Sequence, residues 1–111
     1  MPHIDFEIKQ NDTQPPLEFV LRDANRNLVN LTGATVQFSM RAHPAGTTKV
    51  SLQSCTLVEA VAGRGKYLWA AANTDTADVY EGEIKVTFAD GGLQRFPGNG
   101  YIIITVKDDV A

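Results

Sequence analysis

The chain has 111 residues, 43% hydrophobic and 21% charged, and thirteen acidic against ten basic side chains give a net charge of −3. One domain, residues 1–111, fits that length. The doubly wound dinucleotide folds and eight-fold barrels, which need roughly 200 residues or more, do not. The mild acidic excess gives no electrostatic reason to condense on a polyphosphate, so nucleic acid is not an expected partner.

Alternation with a period of two dominates the chain, and no stretch keeps a helical period for more than about two turns. Ile4, Phe6 and Ile8 share one face of a first strand, which Pro15 and Pro16 end because proline cannot donate into a ladder. Leu17, Phe19 and Leu21 line a second strand, closed by the turn-forming run Asp23-Ala24-Asn25-Arg26-Asn27. A short strand is expected over 28–31. A clearer one covers 35–41, with Val36, Phe38 and Met40 inward.

Two short strands are expected within 50–61, around Gln53-Ser54, and a turn at Gly63-Arg64-Gly65 leads into a strand where Tyr67 and Trp69 share a face. The run Asn73-Thr74-Asp75-Thr76-Ala77-Asp78 predicts a tight connection whose side chains cap their own backbone. The longest strand, 80–88, points Ile84, Val86 and Phe88 inward and Glu81, Glu83, Lys85 and Thr87 outward. Asp90-Gly91 marks a hairpin turn. Strands over 93–96 and 101–107 close the chain, separated by Pro97-Gly98-Asn99-Gly100.

About nine short strands spaced by turn signals predict an all-β fold, an immunoglobulin-like two-sheet antiparallel β-sandwich, with a small barrel as the alternative. Asp75-Thr76-Ala77 followed by Tyr80 fits a tyrosine corner, in which a phenolic hydroxyl bonds back to upstream backbone. The cysteine that would follow two residues later is Gly82, so Trp69 is expected to fill the centre by packing alone.

Groups able to do chemistry are sparse. His3 and His43 lack a second ligand at metal spacing and are expected at the surface. Gly63-Arg64-Gly65-Lys66 lacks the spacing of a phosphate loop. The calcium-loop opening at Asp23 fails where glycine and glutamate are required, since those positions hold Leu28 and Ala34. Asp75, Asp78, Glu81 and Glu83 form an acidic cluster, but a solvated strand face raises no carboxyl pKa and is the expected reading for Glu81 and Glu83. Cys55 is expected to be an ordinary half-buried thiol. Catalytic residues, metal ligands and a cofactor are therefore not expected.

Met1-Pro2-His3-Ile4-Asp5 lacks the layout of a secretion signal, and Tyr101-Ile102-Ile103-Ile104 falls far short of a membrane span. The chain is expected to be made in a cytoplasm and not to enter a membrane. Val20, Val29, Val58, Ile102 and Ile104 fall out of phase with their inward neighbours, so either they lie under loops or at the corners of the sandwich, or the last strand carries an outward apolar stripe that buries against another subunit.

Several motifs carry a resemblance. The run from Leu21-Arg22-Asp23-Ala24-Asn25 through Leu31-Thr32-Gly33-Ala34 to Met40-Arg41 is the strongest. Asp12-Thr13 with Pro16-Leu17, Gly65-Lys66-Tyr67-Leu68-Trp69, Tyr80-Glu81-Gly82-Glu83 and Phe96-Pro97 extend it over nearly the whole chain. In these the sequence resembles the N-terminal domain of the phage baseplate upper protein family, an immunoglobulin-like sandwich that anchors receptor-binding machinery to the tail. Asn11 stands where the family has a glycine.

The resemblance implies a virion structural protein of the tail, neck or baseplate, an attachment or decoration domain standing alone rather than a complete adhesin. Its expected partners are other phage structural proteins and further copies of itself in a symmetric homo-oligomer. The expected contact residues are Ile102 and Ile104, with Pro97 and Asn99 in the preceding turn and Pro15 and Pro16 before the second strand. The rival reading is a carbohydrate- or receptor-binding module, with Tyr67, Trp69, Tyr80 and Tyr101 as its aromatic candidates.

Overall fold

A computed structural model describes residues 4–98 and 100–110. Nine strands follow one another: β1 (Ile4–Lys9), β2 (Leu17–Val20), β3 (Thr35–Ala42), β4 (Thr48–Ser54), β5 (Thr56–Glu59), β6 (Arg64–Tyr67), β7 (Asp78–Thr87), β8 (Leu93–Phe96) and β9 (Ile102–Lys107). Single 3₁₀ turns at Ala60–Ala62 and Ala71–Asn73 are the other regular elements among the described residues. The expected strand over 28–31 shrinks to one isolated bridge, Arg22 to Leu28. Local side chains account for this: Asp23 Oδ1 accepts the N–H groups of Asn25 and Asn27, and Asn30 Oδ1 accepts that of Thr32, offering the backbone an alternative to a ladder.

The strands form two sheets, β1-β9-β7-β3-β4 with β8 also on β7, and β2-β6-β5. The fold is the predicted all-β arrangement, and the second, third, seventh and last strands fall where B, C, F and G of an immunoglobulin sandwich lie. One pairing departs from the antiparallel expectation, because β1 runs parallel to β9, with Ile4 beside Ile102 and Ile8 beside Val106. β7 is long enough to pair with β9 along Asp78–Gly82 and with β8 along Ile84–Thr87, so β8 and β9 lie in line along one edge of it.

The core fills the space between the sheets. Phe38, Met40, Ile84, Val86, Tyr67, Trp69 and Ile104 are all at most 5% exposed. The Trp69 ring meets Tyr67 edge-on at 5.1 Å and Phe38 edge-on at 5.6 Å, and stacks on Phe6 at 5.7 Å. This aromatic cluster supplies the central packing that a disulfide would otherwise brace. The tyrosine corner is present, with the Tyr80 hydroxyl donating to the Thr76 carbonyl at 2.8 Å.

The phase of β9 is opposite to the expected one. Ile102, Ile104 and Val106 are buried at 3%, 0% and 2% exposure, while Tyr101, Ile103 and Thr105 take the outer face. A run that is apolar at every position carries no period from which a face can be read. The register resolves it: Gly82 pairs with Ile102 and Tyr80 with Ile104, and the Ile104 side chain enters, beside the Phe38 ring, the space that Gly82 leaves empty.

Candidate functional site

Two surface features stand out, one polar and one apolar. The polar one is built on Glu81, whose side chain is only 3% exposed, although it points away from the core. The turn between β3 and β4 folds over it. Arg41 Nε donates to Glu81 Oε1 at 2.5 Å, His43 Nδ1 lies 3.0 Å from Oε2, and the Ala45 N–H donates to Oε1 at 2.9 Å. Glu81 is therefore not the solvated residue expected from the alternation, because a neighbouring turn covers it. Burial alone would push its carboxyl pKa up, but the hydrogen bonds from His43, Arg41 and Ala45 outweigh burial and hold it below the usual range.

Arg41 continues outward, with Nη2 donating to the Tyr101 hydroxyl at 3.1 Å and the guanidinium 5.5 Å from the ring centre. A groove of about 320 Å³ lies beside this stack, edged by Ser39, Thr48 and Glu83. The rest of the acidic cluster is held separately. Glu83 pairs with Arg95 at 3.2 Å, Asp75 with Lys49, and Asp78 accepts the Val79 N–H at 2.7 Å. Each carboxylate serves a different local partner, which is an arrangement for fastening strands and turns.

The remaining candidates read similarly. Among the described residues no group of three or more His, Cys, Asp or Glu side chains could hold a metal ion. Asp23 turns its carboxylate onto its own backbone, and Gly63, at φ 69°, makes the turn into β6. Cys55 is half-buried, and burial pushes its thiol up to about 12. His3 and Asn99 lie outside the described residues. Of the aromatic candidates, Tyr67, Trp69 and Tyr80 are core residues, and only Tyr101 reaches the surface, where Arg41 already covers it.

The apolar feature is a groove of about 310 Å³ on the open side of the sandwich, between β2 and the junction of β8 with β9. Leu17, Phe19 and Leu21 form one wall, and Phe96, Pro97 and Ile102 the other. It exists because of the strand order. In immunoglobulin sandwiches a first strand flanks the strand that β2 represents, whereas here β1 pairs with β9 in the opposite sheet and, among the described residues, β2 pairs only with β6.

The groove gathers part of the expected contact set. Pro97 stands in its wall, and the exposed Pro15 and half-buried Pro16 lead into Leu17. Ile102 and Ile104 are corrected: both are buried, Ile102 reaches the groove only as part of its second wall, and Ile104 does not line it. Missed altogether were Phe19, Leu21 and Arg22 of the β2 wall. Their signal lay in Val20, an apolar residue on the polar phase of its strand, and it is 47% exposed.

Comparison with known proteins adds no relative: no family model matches the chain, and none of the curated proteins matches it.

Proposed function

We propose that this protein is a structural component of a phage particle, in the tail, neck or baseplate, and that it works through contacts with neighbouring subunits. The observation that carries the reading is the open side of the sandwich, where a strand edge and an apolar groove meet at β2. A folded monomer gains by covering such a groove, and a neighbouring protein is the natural cover. The motif resemblance to the baseplate family supplies the setting. Copies held on one symmetric ring would bind at high effective concentration, so a modest interface per copy suffices.

The reading is tested on phage particles recovered from cells that carry the gene. Mass spectrometry of purified mature particles should find the chain in a fixed ratio to the tail proteins, and cryo-electron microscopy should place the β2 side against a neighbour. Absence from mature particles would overturn the proposal. Saturable binding on a glycan array that is lost in Tyr101→Ala would transfer it to the sugar-binding reading.

A further inference from the structure

We propose that the cover of the open side is a second copy of this chain, which adds its own β2 antiparallel to β2 about a two-fold axis at Val20. The inference deepens the contact reading above by naming the neighbour, and it rests on that reading of the open side.

The direction of the free backbone groups comes first. The Leu21 N–H donates to Gly63 O at 2.8 Å, and Leu21 O accepts the Val29 N–H at 3.0 Å, so Leu21 faces β6 and its continuation. Alternate residues of a strand send their N–H and C=O to opposite edges. Glu18, Val20 and Arg22 therefore direct theirs to the open edge.

The edge is also the most regular one in its sheet. The opposite edge strand, β5, is broken by a register shift between Leu57 and Glu59. In the larger sheet, β4 carries shifts against β3 and an exposed Leu52 at φ 49°. Such bulges blunt an edge against pairing. The β2–β6 ladder runs from Leu17 to Val20 without a shift.

Charge selects the partner. Glu18 and Arg22 form no ion pair among the described residues, and both are exposed on the same outer face as Val20. Antiparallel pairing centred on Val20 sets Glu18 opposite the other copy's Arg22, Val20 opposite Val20, and Arg22 opposite Glu18. The row is self-complementary, as an isologous interface requires, with an exposed valine pair between two charge-assisted contacts. On the inner face the same register sets Phe19 opposite Leu21, both residues of the β2 wall of the apolar groove. On β1, the edge strand of the larger sheet, antiparallel self-pairing about Glu7 sets Asp5 opposite Lys9 but places Glu7 against Glu7 at the two-fold axis, where β2 has an uncharged valine pair.

Sedimentation velocity from about 1 μM to 1 mM protein, at low and high salt, reads the association. The wild-type chain should show a concentration-dependent dimer that weakens with salt. Glu18→Arg and Arg22→Glu, each confirmed folded by circular dichroism, should each weaken it at least tenfold by opposing like charges twice. An equimolar mixture of the two variants should associate again, since each then meets its complement. Amide exchange of the wild-type protein should slow at Glu18, Val20 and Arg22 as concentration rises, a readout that needs no variant.

A wild-type chain that stays monomeric to 1 mM would overturn the inference, as would a dimer indifferent to both charge reversals. Presence in purified particles without self-association would remove only the second copy as neighbour. Self-association without presence in particles would remove the phage setting and leave the dimer.

Discussion

Ile104 occupies the space that a side chain at position 82 would need: a β-carbon on Gly82 would lie 2.8 Å from Ile104 Cδ1 and 2.9 Å from the Phe38 ring. The position where antibody-type immunoglobulin sandwiches place a bridging cysteine is therefore already filled by Ile104 and Phe38, and the core is made continuous by packing. Gly82→Ala should destabilise the fold by about 1–3 kcal/mol, because Phe38 is fully buried and its ring cannot retreat. Urea unfolding followed by tryptophan fluorescence measures it, and a neutral result would mean that the core around Phe38 can relax.

The β9 isoleucines belong to that same core, so their replacement should unfold the monomer rather than separate subunits. Ile104→Ser should cost about 3–5 kcal/mol, from the cavity and from a hydroxyl buried among apolar neighbours. That is a large part of the stability of an ordinary domain. The check is a loss of cooperative unfolding at concentrations where the wild-type chain is monomeric.

The tyrosine corner contributes through a single hydrogen bond. Tyr80→Phe keeps the ring in place and removes the donor to the Thr76 carbonyl, with an expected loss of about 1 kcal/mol. Thermal unfolding of the variant should show a lowered midpoint without a change of fold by circular dichroism.

Glu81 ties stability to pH. Its carboxyl is held below its ordinary value in the folded chain, so the stabilisation is complete above the unfolded value of about 4.3 and is lost as pH falls through the lower folded value. Asp75, lowered mainly by its hydrogen bond from Lys49, acts in the same direction. Glu81→Gln should cost on the order of 1–2 kcal/mol at neutral pH, discounted for the solvent around Arg41 and His43. Denaturation midpoints between pH 7 and 3 should show the gap between wild type and variant closing in acid; a gap that stayed constant would mean the charge of Glu81 plays no part.

Cys55 should be slow to react. With its thiol pushed up to about 12, almost no thiolate is present at pH 8, and the side chain is half-buried. Iodoacetamide labelling should be much slower in the native chain than in urea, and equal rates would contradict the burial.

How far each part could be read in advance follows from how local its cause is. The strands over 35–41 and 93–96, the break near Ser54 and the Asp90-Gly91 turn come from alternation and turn chemistry within a few residues, and the structure has them at those places. The tyrosine corner is equally local, since Tyr80 and Thr76 are four residues apart. The strand expected over 28–31 was lost to side-chain caps that pattern alone weighs poorly against β propensity.

Class of fold and the identity of most core positions were thus settled by the amino-acid order itself, because alternating burial and turn residues act at short range. Tertiary structure alone decided three things: which face of β9 is inside, that Glu81 lies beneath the β3–β4 turn, and that β1 joins the larger sheet and leaves β2 with a bare edge. Each depends on contacts between segments tens of residues apart. Their register and pairing are selected by the packing of the whole core, and no local pattern encodes that choice.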